Sequence, residues 1–187
     1  GVLRTGAGTF TGTANALGVN LFSNPQDFDN AVWLKQRTTL TANTVVAPDG
    51  TLTADTLVED TTASNTHELR SAAITFVNGT SYAFSIYVKT AGIPRNVITI
   101  RLGNSGAEGA RFNVFTGTVE ATGATATASI VSAGNEWYRC TVRASNLSGS
   151  LLVYLGLTNG SYNDTSIQSY TGDGLSGIHI WGAQLEV

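Results

Sequence analysis

Apolar and polar side chains alternate with a period of two along much of this chain. "YAFSIYVK" (82–89) puts Tyr82, Phe84, Ile86 and Val88 on one face and Ser85, Tyr87 and Lys89 on the other. "NVITIRL" (96–102) groups Ile98, Ile100 and Leu102 against Val97, Thr99 and Arg101. "ARFNVF" (110–115) sets Phe112 and Val114 against Arg111, Asn113 and Phe115. "EWYRCTVRA" (136–144) sets Tyr138, Cys140 and Val142 against Trp137, Arg139, Thr141 and Arg143. This spacing predicts strands with one face in a core and one in water. "SLLVYLGL" (150–157) is apolar on both faces and reads as a central strand.

Turn signals separate these runs: "NGT" (78–80), "AGIPRN" (91–96), "GNSGAEG" (103–109), "TGT" (116–118) and "SAGN" (132–135). "PDGT" (48–51) is another turn between strands. "NGT" and "NLS" (146–148) match glycosylation sequons, but turns explain both. The best helical candidate is "NPQDFDNAVW" (24–33), one turn with Asn24 as cap and Pro25 at its first position. The run "GIHIWGAQLE" (177–186) predicts a closing strand that belongs to the core, beside "NLF" (20–22). Together these elements predict an all-β fold, a jelly-roll β-sandwich of two antiparallel sheets.

Composition sharpens that expectation. The chain has 187 residues, with 27 Thr and 21 Gly but only three Pro, and charged residues make up 12%, about half the usual share. Residues 1–19 are small, polar and glycine-rich and read as a lead-in or linker; residues 20–187 form the domain. A net charge of -3 without basic blocks gives no footprint for nucleic acid. No apolar run is long enough to insert across a bilayer as a helix. The single cysteine, Cys140, alternates with core positions and reads as an inert buried thiol.

The segments "NLFSNPQDFDNAVWLK", "APDGTLTADTLVED", "GTSYAFSIYVKTAG", "FNVFTGTVEATG", "EWYRCTV" and "YTGDGLSGIHIWGAQLE" follow one another in order. This series resembles the carbohydrate-binding-type domain of bacteriophage structural proteins, such as tail fibres and head spikes, over residues 20–187. That domain is itself similar to the jelly-roll carbohydrate-binding modules that accompany glycoside hydrolases. The resemblance implies a virion or extracellular protein, a glycan or polysaccharide partner, and a homotrimer formed through the parent protein. It also implies a structural calcium near the paired termini, for which Asp55, Glu186 and backbone carbonyls are the available oxygen donors. The acidic residue typical of the closing strand is replaced here by Ile180-Trp181-Gly182. In "YTGDG", Tyr170 and Asp173 read as a turn scaffold, and Trp33, Trp137 and Trp181 read as packing residues.

Catalytic motifs are missing from the sequence. A glycosidase needs two facing carboxylates, and no strand spacing forces such a pair together. A triad needs a positioned histidine, and the chain has only His67 and His179 and no G-x-S-x-G elbow. The expectation is therefore a non-enzymatic binder. Eight of its ten basic residues are arginine. Arg101, Arg111, Arg139 and Arg143 fall on polar strand faces beside Tyr87, Lys89 and Asn113, and "HELR" adds Glu68 and Arg70 if Leu69 points inward. Guanidinium groups beside an exposed ring suit a glycan, including one with uronic or other acidic sugars, bound on the concave face. Tyr162, in the loop 158–174, is a further candidate contact. The competing reading is a purely structural appendage whose arginines pair with neighbouring carboxylates.

Overall fold

A computed structural model describes residues 18–160 and 163–187. The strands are β1 (Leu34–Gln36), β2 (Thr38–Val45), β3 (Ala54–Glu59), β4 (His67–Arg70), β5 (Ile74–Phe76), β6 (Tyr82–Thr90) and β7 (Val97–Leu102). They continue with β8 (Gly109–Asn113), β9 (Thr118–Thr122), β10 (Ala126–Gly134), β11 (Trp137–Ala144), β12 (Gly149–Leu151), β13 (Val153–Thr158) and β14 (Gly177–Glu186). Two six-stranded sheets pack face to face as a jelly-roll β-sandwich. One has the order β1-β4-β13-β7-β8-β9, the other β10-β11-β6-β14-β3-β2, and all pairings between named strands are antiparallel. We call them the first and second sheet. The small pair β5 and β12 stands apart.

The period-two pattern explains which faces meet. Tyr82, Phe84, Ile86 and Val88 of β6 lie in one core with Ile98, Ile100 and Leu102 of β7, Phe112 of β8, and Cys140 and Val142 of β11. Ile178, Ile180 and Leu185 of β14 join them. The closing strand thus sits mid-sheet, between β3 and β6. The 20–22 segment lies beside its end, where Leu21 N–H donates to Leu185 O at 2.8 Å.

Two expectations need correction. Residues 24–33 form successive turns, not a helical turn: Asn30 N–H bonds Asp27 O and Trp33 N–H bonds Asn30 O. Phe28 and Trp33 both enter the core from this segment, and a run of turns aims the two rings together at 5.0 Å. Residues 150–157 are two strands, β12 and β13, in different sheets. β13 does have the buried middle position that its two-sided apolar pattern predicts.

A buried polar centre ties the β13–β14 connection to the sandwich. The Glu59 carboxylate is fully buried and accepts hydrogen bonds from Arg95, from the Tyr170 hydroxyl at 2.5 Å and from Asp173 N–H at 2.9 Å. A buried carboxylate persists only with such full pairing. Burial, and then the neighbouring Glu59, push the Tyr170 hydroxyl pKa upward, so the phenol stays a donor. Asp173 accepts from the Ser176 hydroxyl and from the N–H groups of Leu175 and Ser176. Those bonds, with Arg95 nearby, hold its pKa down to about 2.

A depressed carboxylate pKa contributes stability above its unfolded value, and the contribution disappears as pH falls through the folded value. The unfolding midpoint should therefore fall as pH is lowered from about 4 to about 2. Asp173→Asn should be less stable at neutral pH and show a flatter profile over that window, measured by thermal melts across pH.

Candidate functional site

The sequence-predicted site residues divide between two surfaces. Glu68, Arg70, Arg101, Arg111 and Asn113 lie on the outer face of the first sheet, and Tyr87, Lys89, Arg139 and Arg143 on that of the second. The single arginine-lined surface expected from alternation is therefore not formed. Alternation fixes inside against outside, but it does not say which of two sheets a strand joins. Tyr162 lies outside the described residues, as do positions 1–17 of the lead-in.

On the first sheet, the chain covers its own arginines. Residues 163–169 lie over the outer face, and Ile167 fills the space above Gly156, where a Cβ would come within 2.6 Å of it. Arg111 is fully buried beneath this crossing. Its guanidinium donates to the carbonyls of Asp164 at 2.9 Å and Ser166 at 3.0 Å and pairs with the Asp164 carboxylate at 3.5 Å. Asn113 bonds Glu120 and caps the following turn through Phe115 and Thr116 N–H. Arg70 and Arg101 flank the Tyr154 ring in one cross-strand row, 5.4 and 4.9 Å from its centroid, and Arg70 also pairs with buried Glu68. Burial draws the Arg101 pKa down, with Glu68 opposing it, and Arg101 Nε has no hydrogen-bond partner. These residues order a covered face.

The outer face of the second sheet is open among the described residues. Register places side chains there in three cross-strand rows: Val131–Arg139–Tyr87–Trp181, Ser129–Thr141–Ser85–Gln184 and Thr127–Arg143–Ala83–Glu186. The rows line a groove of about 510 Å³ whose walls include Tyr87, Ser85, Thr141, Arg139, Arg143 and Glu186. Arg139 donates to Ser85 Oγ at 2.9 Å and Gln184 Oε1 at 3.1 Å and lies 5.8 Å from the Tyr87 ring centroid. Its hydrogen-bond partners are neutral. Arg143 is exposed and makes no hydrogen bond or ion pair among the described residues. Lys89, by contrast, is engaged by Glu136 at 3.1 Å and Asn135 O at 3.0 Å.

A bulge in β14 between Trp181 and Gln184, with Gly182 at φ 62°, turns the strand beside the groove. It opens a second depression of about 270 Å³ between Tyr87, Trp181, Gln184 and the segment holding Asn20 and Gln26. Trp181 is half-buried, stands 5.5 Å from the Tyr87 ring and donates Nε1–H to Thr53. The tryptophans therefore differ in role: Trp137 packs, while Trp33 and Trp181 each pack and also border a hollow. Thr141, grouped with Arg139 and Arg143 by the sequence, lines this groove, whereas Ser85, Ser129, Gln184, Glu186 and Trp181 are not among the sequence-predicted glycan contacts. The signal for Ser85 is its even spacing from Tyr87 along β6; Ser129, Trp181, Gln184 and Glu186 are brought to the groove by pairing across strands. Cys140 lies in the core, where burial raises its thiol pKa far above the ordinary value.

The calcium that the resemblance implies does not fit Asp55 and Glu186. Asp55 pairs with core-facing Ile180, and Glu186 lies on the outer face near the far end of β14, so the two carboxylates point to opposite sides of the sheet. No group of three or more His, Cys, Asp and Glu side chains converges among the described residues. A set of carbonyls that could receive a cation is instead filled from within. Lys35 Nζ donates to the carbonyl oxygens of Asp29, Trp33 and Asn30 at 2.9, 3.0 and 3.1 Å.

Two stability predictions follow from these placements. Arg111→Ala should cost about 3 kcal/mol in urea unfolding, because it empties a fully buried side-chain site and removes the donors to Asp164 O and Ser166 O. It should leave the second-sheet groove intact, read by tryptophan and tyrosine fluorescence of the folded variant. Lys35→Ala should cost about 1.5 kcal/mol, and the wild-type melting midpoint should not move when EDTA is added. A midpoint lowered by EDTA and restored by calcium would contradict this account of Lys35. The chain matches no family model, and a search of curated proteins finds no relative.

Proposed function

We propose that this domain is a non-catalytic carbohydrate-binding module that holds a glycan in the open groove of the second sheet. One observation carries the reading: an uncovered sheet face presents an aromatic ring, Tyr87, among hydroxyl, amide and guanidinium groups in register. The C–H face of a sugar packs on a ring while its hydroxyls pair with such neighbours. Arg139 is held by neutral groups and so keeps its charge and remaining donors available. The groove lining contains a single carboxylate, Glu186, which supports binding without hydrolysis, since a glycosidase uses a pair. The ordered motif series supports a phage-type appendage as the parent protein, in a virion or extracellular setting.

A second reading is a structural module that assembles without a ligand. It is favoured by apolar side chains left in water at one end of the sandwich: Ile93, Phe115 and Leu175 are 50%, 70% and 64% exposed. Bonds between Arg95 and Asp173, and between Asn96 O and Val114 N–H, bring their loops together.

A glycan array followed by calorimetry tests the first reading. Tyr87→Ala and Arg139→Ala should each weaken the best glycan about tenfold or more, with folding retained. Binding unaffected by both changes would remove the groove as the site. Light scattering that finds a trimer, combined with an array that finds no glycan, would support the assembly reading instead.

A further inference from the structure

We infer that the groove selects acidic glycans of several residues, and that Arg143 is the side chain that reads their charge. The inference rests on the carbohydrate-binding reading of the same surface.

Length comes from continuity. Arg143 lines both the main groove and a further depression of about 410 Å³, bounded by Ser81, Ala124, Thr125, Thr127 and Ser145. Tyr87 likewise lines both the main groove and the depression beside Trp181. The three hollows therefore form one trough, with Arg143 at one junction and Tyr87 at the other. Arg143 and Arg139 are four residues apart on β11, and Trp181 lies two strands away from Arg139. At strand dimensions, Arg143 and Trp181 are separated by about 17 Å, more than one sugar ring spans. A ligand that uses the whole trough is an oligosaccharide.

Charge comes from the inventory of the walls. The trough holds two guanidinium groups and one carboxylate, Glu186, whose oxygen is taken by the Gln184 amide. Three other arginines on this chain meet carboxylates. Arg70 pairs with Glu68, Arg95 with Glu59 and Asp173, and Arg111 with Asp164. Among the described residues, Arg139 has Ser85, Gln184 and the Tyr87 face, and Arg143 has no hydrogen bond or ion pair. Arg139 is thereby fixed in direction, while Arg143 keeps its full fork of donors. A guanidinium fork meets a carboxylate with two parallel charge-assisted bonds, a geometry that a neutral hydroxyl does not offer. A uronate or similar acidic sugar passing the junction supplies the missing anion.

The test is calorimetry with oligosaccharides of polygalacturonate, alginate and hyaluronate, each beside a counterpart whose carboxylates are methyl-esterified. At least one acidic form should bind about tenfold or more tightly than its ester, with a gain from monosaccharide to hexasaccharide. Salt at about 0.5 M should shrink the preference. Arg143→Gln should abolish it, so that this variant binds the acid and its ester with equal affinity. That variant should melt like the wild type, since Arg143 makes no bond to lose. Equal affinity for acid and ester, or binding confined to neutral glycans on the array, overturns the acidic preference and leaves carbohydrate binding standing. Preference retained in Arg143→Gln overturns the role of Arg143. No binding to the panel and none to a neutral array overturns both.

Discussion

Everything in this molecule depends on the two inner faces being apolar at every second residue. Burial of those faces supplies the main drive to fold, and it leaves each sheet with a second face that must also be settled. The two sheets settle it differently. The first draws its own chain across the outer face, so Arg111, Gly156 and Ile167 belong to a third layer of packing. The second leaves its face to solvent and furnishes it with short hydroxyls, an aromatic ring and two arginines without carboxylate partners. The asymmetry between covered and open faces decides where a ligand can go.

The covering layer needs anchors, because a chain segment crossing a sheet carries backbone groups that must be paired. Arg111 serves as one anchor from below, through the carbonyls of Asp164 and Ser166. Glu59 serves as the other, receiving Tyr170 and Asp173 from the same connection and Arg95 from the β6–β7 loop. His67, fully buried, extends this second anchor: its Nδ1 meets Arg37 O at 2.9 Å and its ring lies 4.7 Å from that of Tyr170. Arg37, at φ 54°, is the corner where the chain leaves β1 in one sheet for β2 in the other. One cluster thus ties a sheet-switching corner to the covering segment.

Inside and outside were legible in the sequence wherever alternation was strong. Tyr82 to Val88, Ile98 to Leu102, and Cys140 with Val142 point as their spacing predicts, whereas Trp137, placed by the spacing on the water face, is buried in a second small cluster. Threonine- and alanine-rich strands such as β2 and β10 carry too little apolar contrast to announce themselves. Sheet membership was not legible, because it is set by pairings distant in sequence. That is why Arg101 and Arg111 seemed to share a surface with Arg139. Burial of a polar residue was equally hidden: Arg111 looks like any solvent-facing strand arginine until the crossing segment is laid over it. Arg139 and Arg143 share a face because they are evenly spaced along β11, and pairing with β6 sets Tyr87 beside Arg139.

The position of β14 governs how the domain can be built. Ten residues near the C-terminal end of the sequence form the middle of the second sheet, flanked by β3 and β6, which precede them by roughly a hundred residues or more. Until β14 arrives, β3 and β6 are bare edges with unmet backbone donors and acceptors, the condition that invites strangers to pair. Native pairing here requires closing long chain loops, which is intrinsically slow. Maturation of the domain is consequently all-or-none: a chain cut short before Gly177 is a sheet in two halves, exposed to aggregation and proteolysis.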